Sequence, residues 1–287
     1  MKILFRSDSS SFIGLGHVMR DLVLAEQFSK DEVHFAAQEL EGNINSQIPY
    51  PLHVLKSNNL EELIELIISL HVNLLVIDHY GIKYEDEKTI KEATGVKILS
   101  FDDTYEKHYC DILLNHNISA DASRYNELVP SHCEIRCGGA YTLIRDEFKK
   151  EKKVQREKIY DVVVAMGGAD ATHITLPILK TLPKSLLVSV LTTSANAHLA
   201  ELETYAKENA HISLHVNTKE VAKLLHQSKL AIVTPSVMVH EVLFMDVPFI
   251  AIKTAPNQDD MYRYLKNNGH PALEAFDEYH LHQLYNA

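Results

Sequence analysis

The chain has 287 residues, 46% hydrophobic and 23% charged, enough for one large domain or two medium ones, and the composition excludes a disordered or fibrous protein. Its 28 basic against 39 acidic residues leave a net charge of −11, which argues against nucleic acid or an anionic membrane as the main partner while leaving room for a local phosphate pocket. Three cysteines, Cys110, Cys133 and Cys137, with no C-x-x-C pair argue against a disulfide framework or zinc ribbon and fit a reducing cytoplasm.

The apolar start of the chain meets Arg6 and Asp8 too early for a signal sequence, and apolar runs such as 74–77 have strand length, not membrane length. A strand is predicted at 2–5. A helix follows over 16–28, with Val18, Leu22, Ala25 and Phe28 at helical spacing. Then come a strand at 33–36, an amphipathic helix at 60–70, a strand at 74–77, a helix at 88–93 and a strand at 97–101. The β-α-β-α alternation and the wholly apolar strands predict a parallel sheet covered on both faces.

Residues 148–158 read FKKEKKVQREK, with no apolar residue between Phe148 and Val154, as in a solvated helix or linker. Alternation then restarts, with strands at 160–165, 186–191, 212–215, 230–233 and 249–252 and helices at 174–182, 199–209, 218–227 and 237–245. The expected fold is α/β, with two doubly wound Rossmann-like domains, 1–147 and 159–287, joined by 148–158 and facing a cleft at the carboxyl ends of their strands.

The first strand runs into Arg6, Asp8 and then Gly14-Leu15-Gly16-His17, with Arg20 one turn on. Two glycines allow a tight turn and close ligand approach, and the helix start beside them suits a phosphate or carboxylate. The third glycine of a dinucleotide fingerprint is missing, so NAD is not supported. His17 lies in the first helical turn, where the dipole favours neutral imidazole, the form that acts as a general base near pH 7; a capping or satisfied polar residue is the competing reading. Arg20, on the same face as His17, suits a phosphate, although a plain surface ion pair is the more ordinary role for it. Further strand tips end in Asp78-His79-Tyr80-Gly81, Asp102-Asp103 and Asn115-His116-Asn117. Capping or turn chemistry explains each singly, and their recurrence points to a site.

In the second half, Met166-Gly167-Gly168-Ala169-Asp170 separates a strand from a helix. Thr234-Pro235-Ser236-Val237 opens another, with Ser236 placed as its N-cap and Glu241 one turn in. Glu241 suits two neighbouring sugar hydroxyls or serves simply as a helix carboxylate. The 17 histidines are scattered without an H-x-x-x-H or HExxH pair on a predicted helix, so no metal site is expected, and His280 and His282 are read as a solvated tail.

The runs RSDSSSFIGLGHVMRDLVLA (6–25), IDHYG (77–81), SFDD (100–103), LLNHN (113–117), Tyr141 with LIRDEF (143–148) and MGGAD (166–170), in this order, resemble the UDP-2,4-diacetamido-2,4,6-trideoxy-β-L-altropyranose hydrolases of pseudaminic acid biosynthesis. The resemblance implies a GT-B fold, close to the transferase that adds N-acetylglucosamine to lipid I, and hydrolysis of the UDP-sugar by water attack at the anomeric carbon with C–O cleavage and inversion. It implies His17 as the general base in a loop carrying Gly14 and Gly16. Glu241 falls where related transferases bind the uridine ribose, and Asn257-Gln258 in the late loop facing the donor sugar. Arg6, Asp8, Arg20, Asp78, Tyr80, Asn115, Arg145, Gly168, Ser236 and Val237 complete the expected substrate contacts. One departure is Pro235, which removes an N–H donor where related transferases have a serine- or glycine-rich turn. No cofactor or metal is implied. The expected partner is the UDP-sugar alone, without nucleic acid or membrane insertion, bound by a monomeric chain.

Two other readings compete. One is an acceptor-dependent transferase of the same architecture, which usually needs an apolar or basic membrane-docking face; no apolar surface is expected near the N-terminal loops. The other is a nucleotide-sugar binding protein that turns nothing over.

Overall fold

The computed structural model describes residues 1–10 and 12–285. Ser11, within the glycine-containing run, and Asn286 and Ala287, at the end of the second expected domain, lie outside the described residues. The chain divides into two compact units, Met1–Leu143 and Ile144–Ala287.

The first unit comprises β1 (Lys2–Ser7), α1 (Gly16–Ala25), β2 (Glu32–Gln38), β3 (Leu52–Leu55), α2 (Leu60–Leu70), β4 (Leu74–Asp78), α3 (Tyr84–Thr94), β5 (Lys97–Phe101), β6 (Ile112–Asn115) and β7 (Glu134–Cys137). Its strands run in the order β3-β2-β1-β4-β5-β6-β7, each pair parallel. Order reverses between β1 and β4, the switch point where such sheets open a crevice at their carboxyl edge. β1 shows why both faces are covered. Ile3 and Phe5 join Val18 and Leu24 of α1 in one apolar cluster, while Leu4 joins Leu63 and Ile67 of α2 and Ile90 of α3 in another. Asn59 caps α2 by accepting a hydrogen bond from Glu61 N at 3.0 Å.

The second unit holds α4 (Asp146–Glu151), β8 (Tyr160–Ala165), α5 (Thr175–Thr181), β9 (Val188–Thr192), α6 (Leu199–Glu208), β10 (Ile212–Val216), α7 (Val221–His226), β11 (Ser228–Val233), α8 (Val237–Phe244), β12 (Phe249–Ile252), α9 (Asp259–Asn267), β13 (Ala272–Leu273) and α10 (Glu278–Tyr285). Its sheet has the order β10-β9-β8-β11-β12-β13, again parallel throughout. The switch point here lies between β8 and β11.

Several elements differ from the sequence reading. The helix expected over 16–28 stops at Ala25 and tightens into a 3₁₀ turn at Glu26–Phe28. α3 starts four residues before its predicted start, because its first turn is acidic and carries no apolar stripe. Within the charged run 148–158, Phe148 is fully buried on α4, with the Arg145 guanidinium 4.9 Å from its ring centre. The tail forms a helix, α10, that docks through Leu281, fully buried in the core of the second unit, while His280 and His282 lie on its exposed, solvated side. No helix among the described residues is long and apolar enough to cross a membrane.

Candidate active site

At the first switch point, β1 leads through the glycine-containing loop into α1. Ser10 closes the start of this loop. Its hydroxyl accepts from Phe12 N and Ile13 N at 3.2 and 2.9 Å, and its backbone pairs with Gly14 in both directions. Gly14 has φ +86°, a conformation that favours glycine. α1 then begins at Gly16 with no side-chain cap, so its first-turn amides are left to a ligand or solvent.

His17 stands in that first turn and is 9% exposed. Its Nε2 is 4.0 Å from Asp78 Oδ1 at the tip of β4, and its ring meets Tyr80 edge-on at 4.8 Å between centres. Burial lowers the pKa of His17 below the ordinary histidine value, and Asp78 only partly opposes this. The imidazole is therefore neutral near pH 7. Arg20 takes the ion-pair role. It grips Asp78 with Nε at 2.5 Å and Nη2 at 2.6 Å, and reaches Asp103 with Nη1 at 2.9 Å. Burial works against its charge, but these two carboxylates outweigh it and hold the guanidinium firmly protonated. Asp103 also accepts from Tyr80 Oη at 2.8 Å. One residue on from Arg20, Asp21 is wholly buried, and burial followed by the nearby Asp78 carboxylate pushes its pKa well up.

Other expected contact residues are committed to the scaffold. Arg6 and Asp8 are each 1% exposed. Arg6 donates to both Asp8 oxygens at 2.7 and 2.9 Å and to Asn58 Oδ1 at 2.5 Å, and Asp8 also contacts His79 Nε2 at 3.1 Å and accepts from Gln38 N at 2.7 Å. Burial would raise Asp8, but His79 and Arg6 hold it far below the usual carboxylate range. Asn115 is buried and donates to Tyr125 Oη at 2.9 Å. The strand tip at Asp102 anchors a second network, in which His108 Nδ1 meets Glu87 at 2.8 Å and Tyr125 donates to Asp102 at 2.8 Å.

One expectation is corrected outright. Phe12 is 97% exposed, and Ile13, Leu15 and Met19 beside it are also open to solvent. The first unit therefore does carry an apolar surface at its N-terminal loop, because the Ser10 turn and the first turn of α1 point these side chains outward.

In the second unit, Gly167 has φ +86°, and a Cβ on Gly168 would stand 2.8 Å from Thr193 Cγ2. The Gly168 carbonyl accepts from Thr193 N at 3.0 Å and from the hydroxyls of Thr192 and Thr193 at 3.1 and 3.0 Å. Beside this loop lies a cavity of about 140 Å³ lined by Gly167, Gly168, Leu191, Thr192, Asn217 and Met238, among others. Ser236 occupies the N-cap position of α8, but its hydroxyl turns to Thr234 Oγ1 at 3.0 Å and does not cap the helix. The amides of exposed Val237 and its neighbour are thus uncapped by a side chain. Glu241 is buried, and its Oε1 accepts from Arg145 Nε at 2.7 Å; burial raises its pKa, with Arg145 opposing. Gln258 Oε1 accepts from Thr254 N at 2.8 Å, which leaves the amide N–H₂ as its donating end, next to exposed Asn257.

Over 270 residues the chain is 48% identical to the UDP-2,4-diacetamido-2,4,6-trideoxy-β-L-altropyranose hydrolase of Campylobacter jejuni, covering 94% of this chain and 98% of that one. The chain belongs to this hydrolase family. No protein-family model matches it. Among solved structures, Acinetobacter baumannii MurG aligns over 99% of this chain and 90% of its own with a TM-score of 0.64 at 13% identity. Anabaena HepE in complex with UDP aligns over 100% and 89%, with a TM-score of 0.64 at 10% identity. These distant likenesses fix the architecture as that of the GT-B glycosyltransferases.

Within this hydrolase family member, sequence reasoning missed Asp103 as the second partner of Arg20, and Leu191, Thr192 and Asn217 as cavity walls. Asp103 was visible as a strand-tip carboxylate. These cavity residues come from two separate strand ends, those of β9 and β10, and no local pattern joins them.

Proposed function

We propose that this protein hydrolyses UDP-2,4-diacetamido-2,4,6-trideoxy-β-L-altropyranose to UDP and the free sugar, as its family implies. Water attacks the anomeric carbon while the neutral imidazole of His17 takes its proton. The anomeric C–O bond breaks, its electron pair leaves with the β-phosphate of UDP, and the configuration inverts. Asp78, 4.0 Å from His17 Nε2, stabilises the imidazolium that forms, and Arg20 and Asp103 fix Asp78 in place. His17 as the base is carried by one observation: a buried, neutral histidine in the first turn of a helix at a topological switch point, with a carboxylate behind it.

The second unit supplies the nucleotide site in this reading. The uncapped start of α8 and the Gly167-Gly168 loop offer backbone amides to the diphosphate, which lets UDP leave without a proton. The 140 Å³ cavity suits a planar pyrimidine base. Glu241, oriented by Arg145, accepts the ribose hydroxyls, and Asn257 and Gln258 face the sugar. The reaction needs no metal, and three unbridged thiols support a cytoplasmic enzyme. We also take the active chain as a monomer.

The decisive variant is His17→Asn. Turnover is expected to fall roughly 10²–10⁴-fold, the worth of a placed base, with UDP affinity retained. Unchanged turnover removes His17 as the base. Loss of UDP binding with no turnover in the parent protein fits a binding protein instead.

A further inference from the structure

Two histidines that lie 25 positions apart in the chain meet in the second unit. The rings of His173 and His198 stack with centres 3.6 Å apart and planes 11° from parallel. Glu201, one turn into α6 from His198, places Oε2 at 3.0 Å from His173 Nε2. One ligand atom from each of the three lies within 4.8 Å of the others. We propose that His173, His198 and Glu201 form a binding site for a transition-metal cation of the zinc, nickel or cobalt class.

Both sides of the site are anchored by groups that do not belong to it. His173 ends a tight turn. Its N–H donates to the Asp170 carbonyl at 2.8 Å, and the buried Asp170 carboxylate accepts from Ile174 N and Thr175 N at 3.2 and 3.1 Å. The turn holds Asp170 at φ 42° and His173 at φ 54°, left-handed conformations that a non-glycine residue keeps only where its surroundings impose them. Opposite, His198 N donates to Asn196 Oδ1 at 2.8 Å, and buried Asn196 donates to Thr192 Oγ1 at 3.1 Å. The backbone on both sides of the site is thus fixed by contacts other than the ion.

The donor set selects the cation. Two imidazoles and one carboxylate match borderline cations and serve magnesium or calcium poorly, since those require oxygen ligands. Three protein ligands leave the fourth position to water. Parallel rings cannot both aim a lone pair at one ion, so His198, which is exposed, turns about its side-chain torsions to close the site. The bound cation then ties the loop after Gly168 to the start of α6. The site is independent of the hydrolase reading, because none of its residues is assigned a part in the chemistry.

The test uses the untagged, metal-free full-length protein. Cobalt(II) is titrated and followed by visible absorption, and zinc(II) is titrated against a chromophoric chelator. The expected result is one equivalent of tight metal, with affinity reduced about tenfold or more in His173→Ala and in His198→Ala, and less in Glu201→Gln. A His280→Ala/His282→Ala variant, altered only on the exposed side of α10, should bind as the parent does. In the parent protein, zinc should shift the imidazole resonances of His173 and His198, which keeps the proposal testable if a variant misfolds. Absence of saturable binding, binding that survives in the His173→Ala/His198→Ala double variant, or imidazole shifts confined to other histidines would each overturn it.

Discussion

His17 can act as a base only while it is neutral, and two opposing influences decide that. Burial lowers its pKa, while Asp78 at 4.0 Å raises it and burial prevails. Its neutral fraction therefore grows as pH rises through a value below 6.5, the ordinary histidine pKa. The pH profile of kcat should show an acid limb below that value and a plateau at pH 7; a plateau reached only above pH 7 would contradict the assignment. Asp78→Asn removes the carboxylate that opposes burial and leaves the Arg20 cation in place, so the limb should move to lower pH. The same substitution breaks a buried ion pair and should destabilise the protein by about 3–5 kcal/mol, measurable by urea unfolding. At this scale the sequence shows His17, Asp78 and Asp103 because a glycine loop and polar strand tips mark them. It does not show that Arg6 and Asp8 satisfy each other. Two residues apart at a strand end, they look like a ligand-facing pair until side-chain direction is known. The meeting of His173 with His198 is hidden for a related reason: it depends on which loops share one sheet edge.

Elements were legible where apolar residues recur at a fixed period. α2 and β5 fall on their predicted bounds, as does β8. Elements held by a few contacts were not. β3 and β7 are four-residue edge strands with partly exposed side chains, and α10 is docked chiefly by Leu281. Leu281→Ala should cost about 2–5 kcal/mol, the usual range for a buried leucine, seen as a lowered thermal midpoint; no change would mean that α10 contributes little to the core. The Glu87–His108–Asp102 network belongs to this scale because it joins α3 to the loops after β5. Burial opposes the His108 charge, but Asp102 and Glu87 raise its pKa to about 9. An unfolded histidine titrates near 6.5, so this stabilisation is complete below that pH and fades as pH rises through 9. Unfolding free energy should decline between about pH 6.5 and 9, and His108→Gln should flatten that decline. A slope unchanged in the variant would place the effect elsewhere.

Taken whole, the molecule repeats one topology without repeating one sequence. Each unit has the strand order 3-2-1-4-5-6 about its first strand, with the first unit adding β7. The alternation of strand and helix made this fold readable, since parallel sheets require crossovers and right-handed crossovers leave few topologies. Reaction outcome is a property of the whole enzyme, because water must reach the anomeric carbon and no sugar acceptor may be needed. The exposed Phe12, Ile13, Leu15 and Met19 make the distinction from a transferase worth testing directly. The protein should be incubated with the UDP-linked diacetamido-altrose in ¹⁸O-water without acceptor, and both products analysed by mass spectrometry. Attack at the anomeric carbon predicts one ¹⁸O in the free sugar and none in UDP. Label in UDP, or no release until an acceptor is added, would contradict the account.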